Sequence, residues 1–144
     1  MKFKKLHKNF ELPKYATTGS AAFDLALMEA TTVNKWASTT VGLGFAAEVP
    51  EGYVALIVPR SSKGFNDGLT LANTAGVIDS DYRGEWKAKL FMSVPINIDT
   101  FAEYEAGERI LQCMIVPLNQ VKPELVNELS DTDRGDRGVG STGK

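Results

Sequence analysis

A short polar segment at 60–64 carries groups that bind phosphate. It reads RSSKG and directly follows the apolar run YVALIV (53–58) and Pro59. Arg60 provides a guanidinium fork, while Ser61 and Ser62 provide hydroxyls beside backbone amides, the donors that a phosphate group needs. Many polar loops after strands share this composition, so the segment alone is only a candidate phosphate-binding loop.

A second segment, LANTAGVIDSDYRGEW (71–86), combines carboxylates with a turn. Its apolar residues flank a stretch rich in Asp, Ser and Gly, which predicts a hairpin. The turn itself explains Asp81. Asp79 directly follows Val77 and Ile78, so we expect its carboxylate at a partly dry surface, where a carboxylate is a better base.

Other nucleophilic and metal chemistry has few candidates. The one cysteine, Cys113, lies within the apolar run ILQCMIV (110–116), which indicates a small buried hydrophobe. The one histidine, His7, lies among lysines, which indicates an exposed bystander. Cys-His and Ser-His mechanisms and a Cys/His zinc site are therefore excluded. An enzyme made from this chain must use carboxylates, hydroxyls and a hard metal ion.

Composition predicts one soluble domain. The 144 residues are 43% hydrophobic and 24% charged, and no apolar stretch approaches the roughly 18 residues of a membrane span. No apolar h-region follows the basic start, so we expect a cytoplasmic protein, in the host cytoplasm if the source is viral. With a net charge of −2 and no clustered basic stripe, a nucleic-acid polymer is not an expected partner.

The elements that must position these residues have the patterns of strands. Residues 45–49 and 53–58 predict two strands around a Glu51-Gly52 turn. Apolar and polar residues alternate over 86–92, and 108–116 predicts a further strand. Only 67–75 has room for a helical turn. The predicted class is therefore all-β, with many short strands.

The chain changes composition at Ser130. From there the sequence has four glycines and one apolar side chain, Val139. Such a segment does not contribute to a core and is typical of a mobile tail. Its hydroxyls, its arginines and the backbone amides that glycine leaves accessible would nevertheless suit a phosphate group. We therefore divide the chain into a β domain, 1–129, and a flexible tail, 130–144.

Five segments, in order along nearly the whole chain, resemble the motifs of the homotrimeric deoxyuridine triphosphatases, the dUTPases. They are SAAFDL (20–25), PRSS (59–62), GVIDSDYRG (76–84), GERILQ (107–112), and RG (134–135) followed by GVGSTG (138–143). Each is short, but five in order are specific. The resemblance implies a single-domain, jelly-roll-like β-barrel or sandwich with a flexible C-terminal tail.

The resemblance also implies a reaction, the hydrolysis of dUTP to dUMP and pyrophosphate. This reaction limits uracil in DNA and supplies dUMP for thymidylate synthesis. Asp79 would be the general base for water attack on the α-phosphorus, and Mg²⁺ would be the cofactor, with Asp24 placing metal-bound waters. Such positioning and charge stabilisation suffice for phosphoryl transfer, so no nucleophilic side chain is needed.

The resemblance assigns substrate contacts by position. The implied substrate-binding residues are Arg60, Ser61, Ser62, Asn73, Gly76, Val77, Ile78, Tyr82, Lys87, Gln112, Arg134, Val139, Ser141 and Thr142. The triphosphate would be held by Arg60, Ser61, Ser62 and Gln112. Tyr82 would pack on the deoxyribose, and uracil would be recognised by Asn73, Gly76, Val77, Ile78 and Lys87. The family further implies a homotrimer in which each site is closed by a neighbour's tail.

Three positions depart from the family pattern. Ala22 and Arg137 stand where glycine is usual, and Val139 stands where an aromatic residue covers the bound uracil. Valine gives apolar contact without stacking, which by typical base-stacking energies forfeits on the order of 1 kcal/mol or more. The charge of Arg137 would partly compensate through the phosphates.

Parts of the sequence also suggest three other functions. The tail matches the G-x-x-x-x-G-K pattern of a P-loop at 138–144, but a P-loop opens a helix and continues with Ser or Thr, so we reject it. The related dCTP deaminases carry a catalytic glutamate where Lys89 stands, and lysine cannot replace it. The alternative function is regulatory: some family members bind a protein partner, with the nucleotide-bound tail as a switch.

Overall fold

The computed structural model describes residues 1–35, 37–93 and 101–138, whose regular secondary structure is almost entirely antiparallel strand. The strands in these ranges are β1 (Lys2–Lys5), β2 (Phe23–Ala26), β3 (Thr31–Asn34), β4 (Thr39–Gly42), β5 (Phe45–Glu48), β6 (Tyr53–Pro59), β7 (Leu69–Leu71), β8 (Gly76–Ile78), β9 (Lys87–Met92), β10 (Phe101–Tyr104) and β11 (Arg109–Pro117). A single π-helical turn, Ser62–Asn66, interrupts them. The predicted all-β class is confirmed.

The strands form four small sheets. One has the order β2-β11-β6-β8, a second has the order β4-β9-β7, and β1 pairs with β5 and β10 with β3. Their inward faces form one hydrophobic core, whose largest fully buried side chains include Trp86, Phe45, Leu27 and Ile57. The ring centroids of Phe45 and Trp86 are 5.0 Å apart. None of the helical structure in the described ranges is long and apolar enough to cross a membrane.

Apolar patterning predicted the longest strands correctly. β6 and β11 form at the two predicted apolar runs and pair with each other over seven residue positions. In β9 the buried residues Ala88, Leu90 and Met92 alternate with less buried neighbours, as the period of two requires. Burial likewise confirms Cys113 as a core residue and raises the pKa of its thiol to about 12. His7, expected to be exposed, is half-buried, with its Nε2 3.8 Å from Glu29 Oε1.

The predicted helical turn within 67–75 is wrong. The turn lies earlier, at Ser62–Asn66, and β7 occupies the predicted range. Gly68, with φ of +69°, turns the chain there, a conformation that glycine adopts without strain. Leu69 and Leu71 are then buried and pair with β9, so core burial at a period of two overrides the local composition.

The predicted hairpin over 71–86 is also wrong. β8 pairs with β6, whereas β9 pairs with β4 and β7 in another sheet. Gly76 allows the close approach of β8 to β6, because a Cβ there would lie 3.2 Å from Ile57 Cβ. The Trp86 N–H donates to Phe45 O at 3.0 Å and brings the chain to the second sheet. Residues 79–86 therefore connect two sheets.

Candidate active site

The predicted phosphate-binding loop begins where β6 ends. The Arg60 N–H donates to Ile110 O at 3.0 Å, and Arg60 Nη1 donates to Arg109 O at 2.9 Å. These bonds fasten the start of the loop to β11. The N–H groups of Lys63 and Gly64, the third and fourth residues after Arg60, both donate to Arg60 O. The resulting turn leaves Ser61 and Ser62 exposed, with their hydroxyls accessible to a ligand.

Asp24 and Gln112 lie beside this loop because of strand register. Gln112 of β11 is opposite Asp24 of β2 on one side and Val58 of β6 on the other. Asp24 Oδ1 is 3.0 Å from Arg60 Nε, and its Oδ2 is 3.4 Å from Arg109 Nη1. Two guanidinium groups around one carboxylate leave an excess positive charge, which suits a polyanion.

A second group of predicted site residues surrounds a cavity of about 470 Å³. Asn73, Gly76 and Lys87 line it, together with apolar residues that include Leu71. The turn before β8 is tight, since the Ala75 N–H donates to Asn73 O at 2.7 Å. Thr74 between them has φ of +67°, an uncommon conformation for a residue with a side chain. The cavity therefore offers backbone and side-chain polar groups over an apolar wall, which suits a flat polar ring.

Asp79 and Tyr82 follow β8 in one turn. The Tyr82 N–H donates to Asp79 O at 3.2 Å, and the Tyr82 hydroxyl donates to Glu85 O at 3.1 Å. Asp79 is exposed in this chain, so the prediction of a partly dry surface is wrong for the single subunit. The physical reason is that β8 is an edge strand in the described part of its sheet, which leaves Val77 60% exposed.

One chain does not bring the two groups together. In the β6–β8 pairing, Gly76 is opposite Ile57 and Ile78 is opposite Ala55. Arg60 extends beyond one end of this pairing, and Asp79 extends beyond the other. The six residues of β-strand that separate their levels span roughly 20 Å. A phosphate on Arg60 is therefore out of reach of Asp79 of the same chain.

The tail is the third group of predicted residues. The Leu118 N–H donates to Gly52 O at 2.7 Å just after β11 ends, and 118–138 are exposed. Arg134 bonds within the tail, where its Nε donates to Arg137 O at 3.3 Å. The predicted residues Val139, Ser141 and Thr142 lie outside the described residues.

Sequence reasoning missed charged contacts next to the loop. Lys63 Nζ lies 2.5 Å from Glu108 Oε1, and this hydrogen bond raises the pKa of Lys63 and lowers the pKa of Glu108. Burial raises the pKa of the neighbouring Tyr104 well above its ordinary range. Lys63 and Glu108 both lie within segments that the sequence singled out, but their contact joins residues 45 positions apart. Local patterning does not detect such a contact.

The chain is similar in sequence and in fold to known proteins. The dUTPase family model matches residues 8–143. A deoxyuridine 5′-triphosphate nucleotidohydrolase of Nautilia profundicola is 43% identical over 145 residues, with 100% of this chain and 99% of the relative covered. The dUTPase of Staphylococcus bacteriophage 80alpha with dUPNHPP has a TM-score of 0.83 and 25% identity over 99% of this chain and 98% of that chain.

A second solved structure supports the fold alone. It is a mutant dUTPase from phage phi11 of S. aureus, with a TM-score of 0.76 and 19% identity over 88% of this chain and 96% of that chain. It is described as revealing the coordination of a structural Mg(II) ion. The two likenesses confirm the predicted jelly-roll-like architecture.

Proposed function

Since the chain belongs to the dUTPase family and is a dUTP diphosphatase, we propose that it cleaves dUTP at the α-phosphorus with Asp79 as the general base. The observation that carries this mechanism is the cationic end of the four-stranded sheet, where Arg60 and Arg109 flank Asp24 beside two exposed serines. In this proposal the triphosphate binds at this end of the sheet. In the cell the reaction would limit uracil in DNA and supply dUMP for thymidylate synthesis, and we propose a cytoplasmic location.

The chain's own groups account for the chemistry. Arg60, Ser61, Ser62 and Gln112 hold the triphosphate and align its α-phosphorus with a water molecule. The Asp79 carboxylate accepts a proton from that water as its oxygen bonds to the phosphorus. The bond from the α-phosphorus to the bridging oxygen breaks, and pyrophosphate leaves with the electron pair, as positioning and charge stabilisation favour.

The second group reads the nucleoside. Asn73, Gly76 and Lys87 line the cavity that would take uracil. The backbone of Val77 and Ile78, which follow Gly76 in β8, would contact the edge of the base. A thymine methyl would find no room there. The Tyr82 ring packs on the deoxyribose, where a ribose 2′-hydroxyl would clash, and its bond to Glu85 O holds the ring in place.

We propose a homotrimer with cross-subunit sites. The separation of Arg60 from Asp79 within one chain supports this arrangement, because both groups must reach the same nucleotide. One subunit would then supply Arg60 and Gln112, and a neighbour would supply Asp79 and Tyr82. Assembly would also cover Val77 and give Asp79 the drier surface that a general base needs.

The tail, 130–144, would close each site from a neighbouring subunit, beyond the β domain, 1–129. Arg134, Ser141 and Thr142 would contact the phosphates, and Val139 would cover the base. The exposure of 118–138 supports a segment that orders on a ligand rather than on its own domain. Exposed apolar side chains at Val121, Leu125 and Leu129 also favour a partner surface.

Mg²⁺ fits the site as a partner of the nucleotide. Within the described ranges no three His, Cys, Asp or Glu side chains are grouped to hold a metal ion. Both oxygens of Asp24 already contact guanidinium groups, so Asp24 would act through metal-bound water. A hard cation that binds mainly through the nucleotide would meet these conditions and would supply positive charge beside the phosphates. The mutant dUTPase of phage phi11, which has a similar fold, is described with a structural Mg(II) ion.

A regulatory role is the second candidate. Phage dUTPases, among them that of bacteriophage 80alpha, are described as controlling the transfer of virulence genes by a proto-oncogenic G protein-like mechanism. The exposed tail of this chain would provide the nucleotide-dependent switch. Affinity capture with and without dUPNHPP tests this role. A partner that binds equally in both states would contradict a switch.

A coupled assay of pyrophosphate release tests the enzyme mechanism. We expect rapid release from dUTP, and slow release from dCTP, dTTP and UTP. Chelation of Mg²⁺ should lower the rate with dUTP, and added Mg²⁺ should restore it. Release of phosphate instead of pyrophosphate, or an unchanged rate after chelation, would contradict attack on the α-phosphorus or the role of Mg²⁺, respectively.

A further inference from the structure

A network of charged and aromatic side chains joins the phosphate-binding loop to the turn before β11. Lys63 Nζ is 2.5 Å from Glu108 Oε1 and 3.5 Å from Asp67 Oδ2. The Tyr104 hydroxyl donates to the same Asp67 oxygen at 3.4 Å, and Lys63 Nζ lies 5.1 Å from the Tyr104 ring centroid. The Glu105 N–H donates to the other Glu108 oxygen at 3.1 Å. Each member is thus held by at least one other.

Both ends of the Lys63–Glu108 pair adjoin groups that bind the triphosphate. The Lys63 N–H donates to Arg60 O at 2.9 Å, so Lys63 closes the turn that carries Ser61 and Ser62. Glu108 directly precedes Arg109, whose carbonyl and guanidinium contact Arg60 and Asp24. The pair is therefore a cross-link between the turn and the strand that hold these donors.

The pair is shielded enough to act as a cross-link. The side chains of Lys63 and Glu108 are 22% and 32% exposed, less than those of the edge-strand pair Lys2–Glu48, which are 84% and 45% exposed. Partial burial weakens solvent screening and favours a defined geometry. Lys63 carries one ammonium group, and this group already contacts Glu108, Asp67 and the Tyr104 ring.

We propose that Lys63 is a positioning residue for triphosphate binding, which it serves by fixing the Ser61–Ser62 turn against Glu108. This inference rests on the proposed function, in which the turn holds phosphates. Lys63 acts through the turn and does not itself contact the nucleotide. Its removal therefore weakens the binding of a ligand that carries the full triphosphate much more than the binding of a ligand that carries a single phosphate.

The test compares the binding of dUPNHPP with that of dUMP, measured by calorimetry on the full-length protein. Lys63→Met keeps the apolar stem and removes the charge, and Glu108→Gln removes the partner's charge. Each change should weaken dUPNHPP binding about tenfold and dUMP binding less than about twofold. The double variant should also lose about tenfold, not a hundredfold, because both changes break one link. Lys63→Arg should restore affinity to within about threefold.

Glu108→Gln separates positioning from direct contact. If Lys63 bound phosphate itself, loss of Glu108 would free the ammonium group, and dUPNHPP affinity would stay constant or rise. That result overturns the proposal. Equal losses for dUPNHPP and dUMP, with a lowered Tm, would indicate general loosening and overturn it as well.

Lys2→Met is the matched control, because it breaks an ion pair on the edge strand β1 and should change neither affinity. An assay of the wild-type protein distinguishes failure of the proposed function from failure of the Lys63 proposal. If it releases no pyrophosphate from dUTP, the proposed function fails, while the binding comparison still reports on Lys63.

Discussion

Arg60 and Asp79 leave the β6–β8 strand pair at opposite ends. The register that places Gly76 opposite Ile57 fixes this relationship, and it separates the backbone positions of the two residues by roughly 20 Å along the strands. A base and a phosphate-binding group that act on one nucleotide must be much closer. We therefore expect two subunits to contribute if both residues serve the same site.

Subunit mixing tests this requirement. Arg60→Gln and Asp79→Asn should each abolish most activity in a homotrimer. In trimers reassembled at random from equal amounts, about a quarter of the cross-subunit sites would have both residues intact, so activity should return to about that fraction of wild type. Reassembly must be verified by native mass spectrometry. Verified mixed trimers without activity would place both residues in one chain's site.

Asp79→Asn should keep the fold and dUPNHPP binding and lower kcat by at least about 10²-fold. The amide has nearly the shape of the carboxylate but does not accept a proton from water. Asp81→Asn is the matched control, since Asp81 is an exposed carboxylate in the same turn and should leave kcat nearly unchanged. Comparable rates for the two variants would remove Asp79 from the mechanism.

The Tyr82 ring should set discrimination against UTP. Tyr82→Phe keeps the ring face and loses only the bond to Glu85 O, so kcat/KM for dUTP should fall less than about tenfold. Tyr82→Ala should raise the ratio of kcat/KM for UTP to that for dUTP by at least about tenfold, because the steric barrier to a 2′-hydroxyl is gone. An unchanged ratio in Tyr82→Ala would assign sugar selection to another group.

Local sequence patterns predicted strands correctly where burial follows from residues that are adjacent in the sequence. The apolar run of β6 and the alternation of β9 required no knowledge of the pairing partner. Asp24, Arg60 and Gln112 come from three of the segments that resemble family motifs. The strand register explains why these three residues lie close together.

Features that depend on distant contacts were not predictable from local sequence. β8 pairs with β6 and not with β9, because Gly76 packs against Ile57 and Trp86 enters the core beside Phe45. The exposure of Asp79 depends on which strand covers the sheet edge. The Lys63–Glu108 pair joins two loops far apart in sequence. Each of these outcomes follows from tertiary packing and not from composition.

The buried indole of Trp86 stabilises the fold by filling volume in the core and not by hydrogen bonding. Its side chain is fully buried, and among the described residues its Nε1 has no hydrogen-bond partner. Trp86→Phe loses some apolar contact but removes an unpaired donor, so the free energy of unfolding should fall by less than about 1.5 kcal/mol. Trp86→Ala leaves a cavity and should cost about 3–5 kcal/mol. Urea titrations of both variants measure the difference, and equal losses would contradict this account.

The Lys63–Glu108 pair should make part of the stability depend on pH in the acid range. The bond to Lys63 lowers the pKa of Glu108 below its ordinary value of 4.5. A carboxyl group with a lower pKa in the folded chain stabilises the fold above its unfolded pKa, and this stabilisation is lost as the pH falls through the folded pKa. Lys63 and Tyr104 have raised pKa values and keep their protons throughout this range.

Wild type should therefore be more stable than Glu108→Gln near neutral pH, by on the order of 1 kcal/mol for a partly exposed pair. The difference should stay constant down to about pH 5 and shrink below the unfolded pKa of about 4.5. Urea titrations at a series of pH values measure it. Lys63→Met should give the same pH profile as Glu108→Gln, because either change breaks the same bond, whereas Glu48→Gln, at the more exposed pair, should show a weaker dependence. A difference that grows as the pH falls would mean that Glu108 is stabilised in its protonated form and that Lys63 is not its partner in solution.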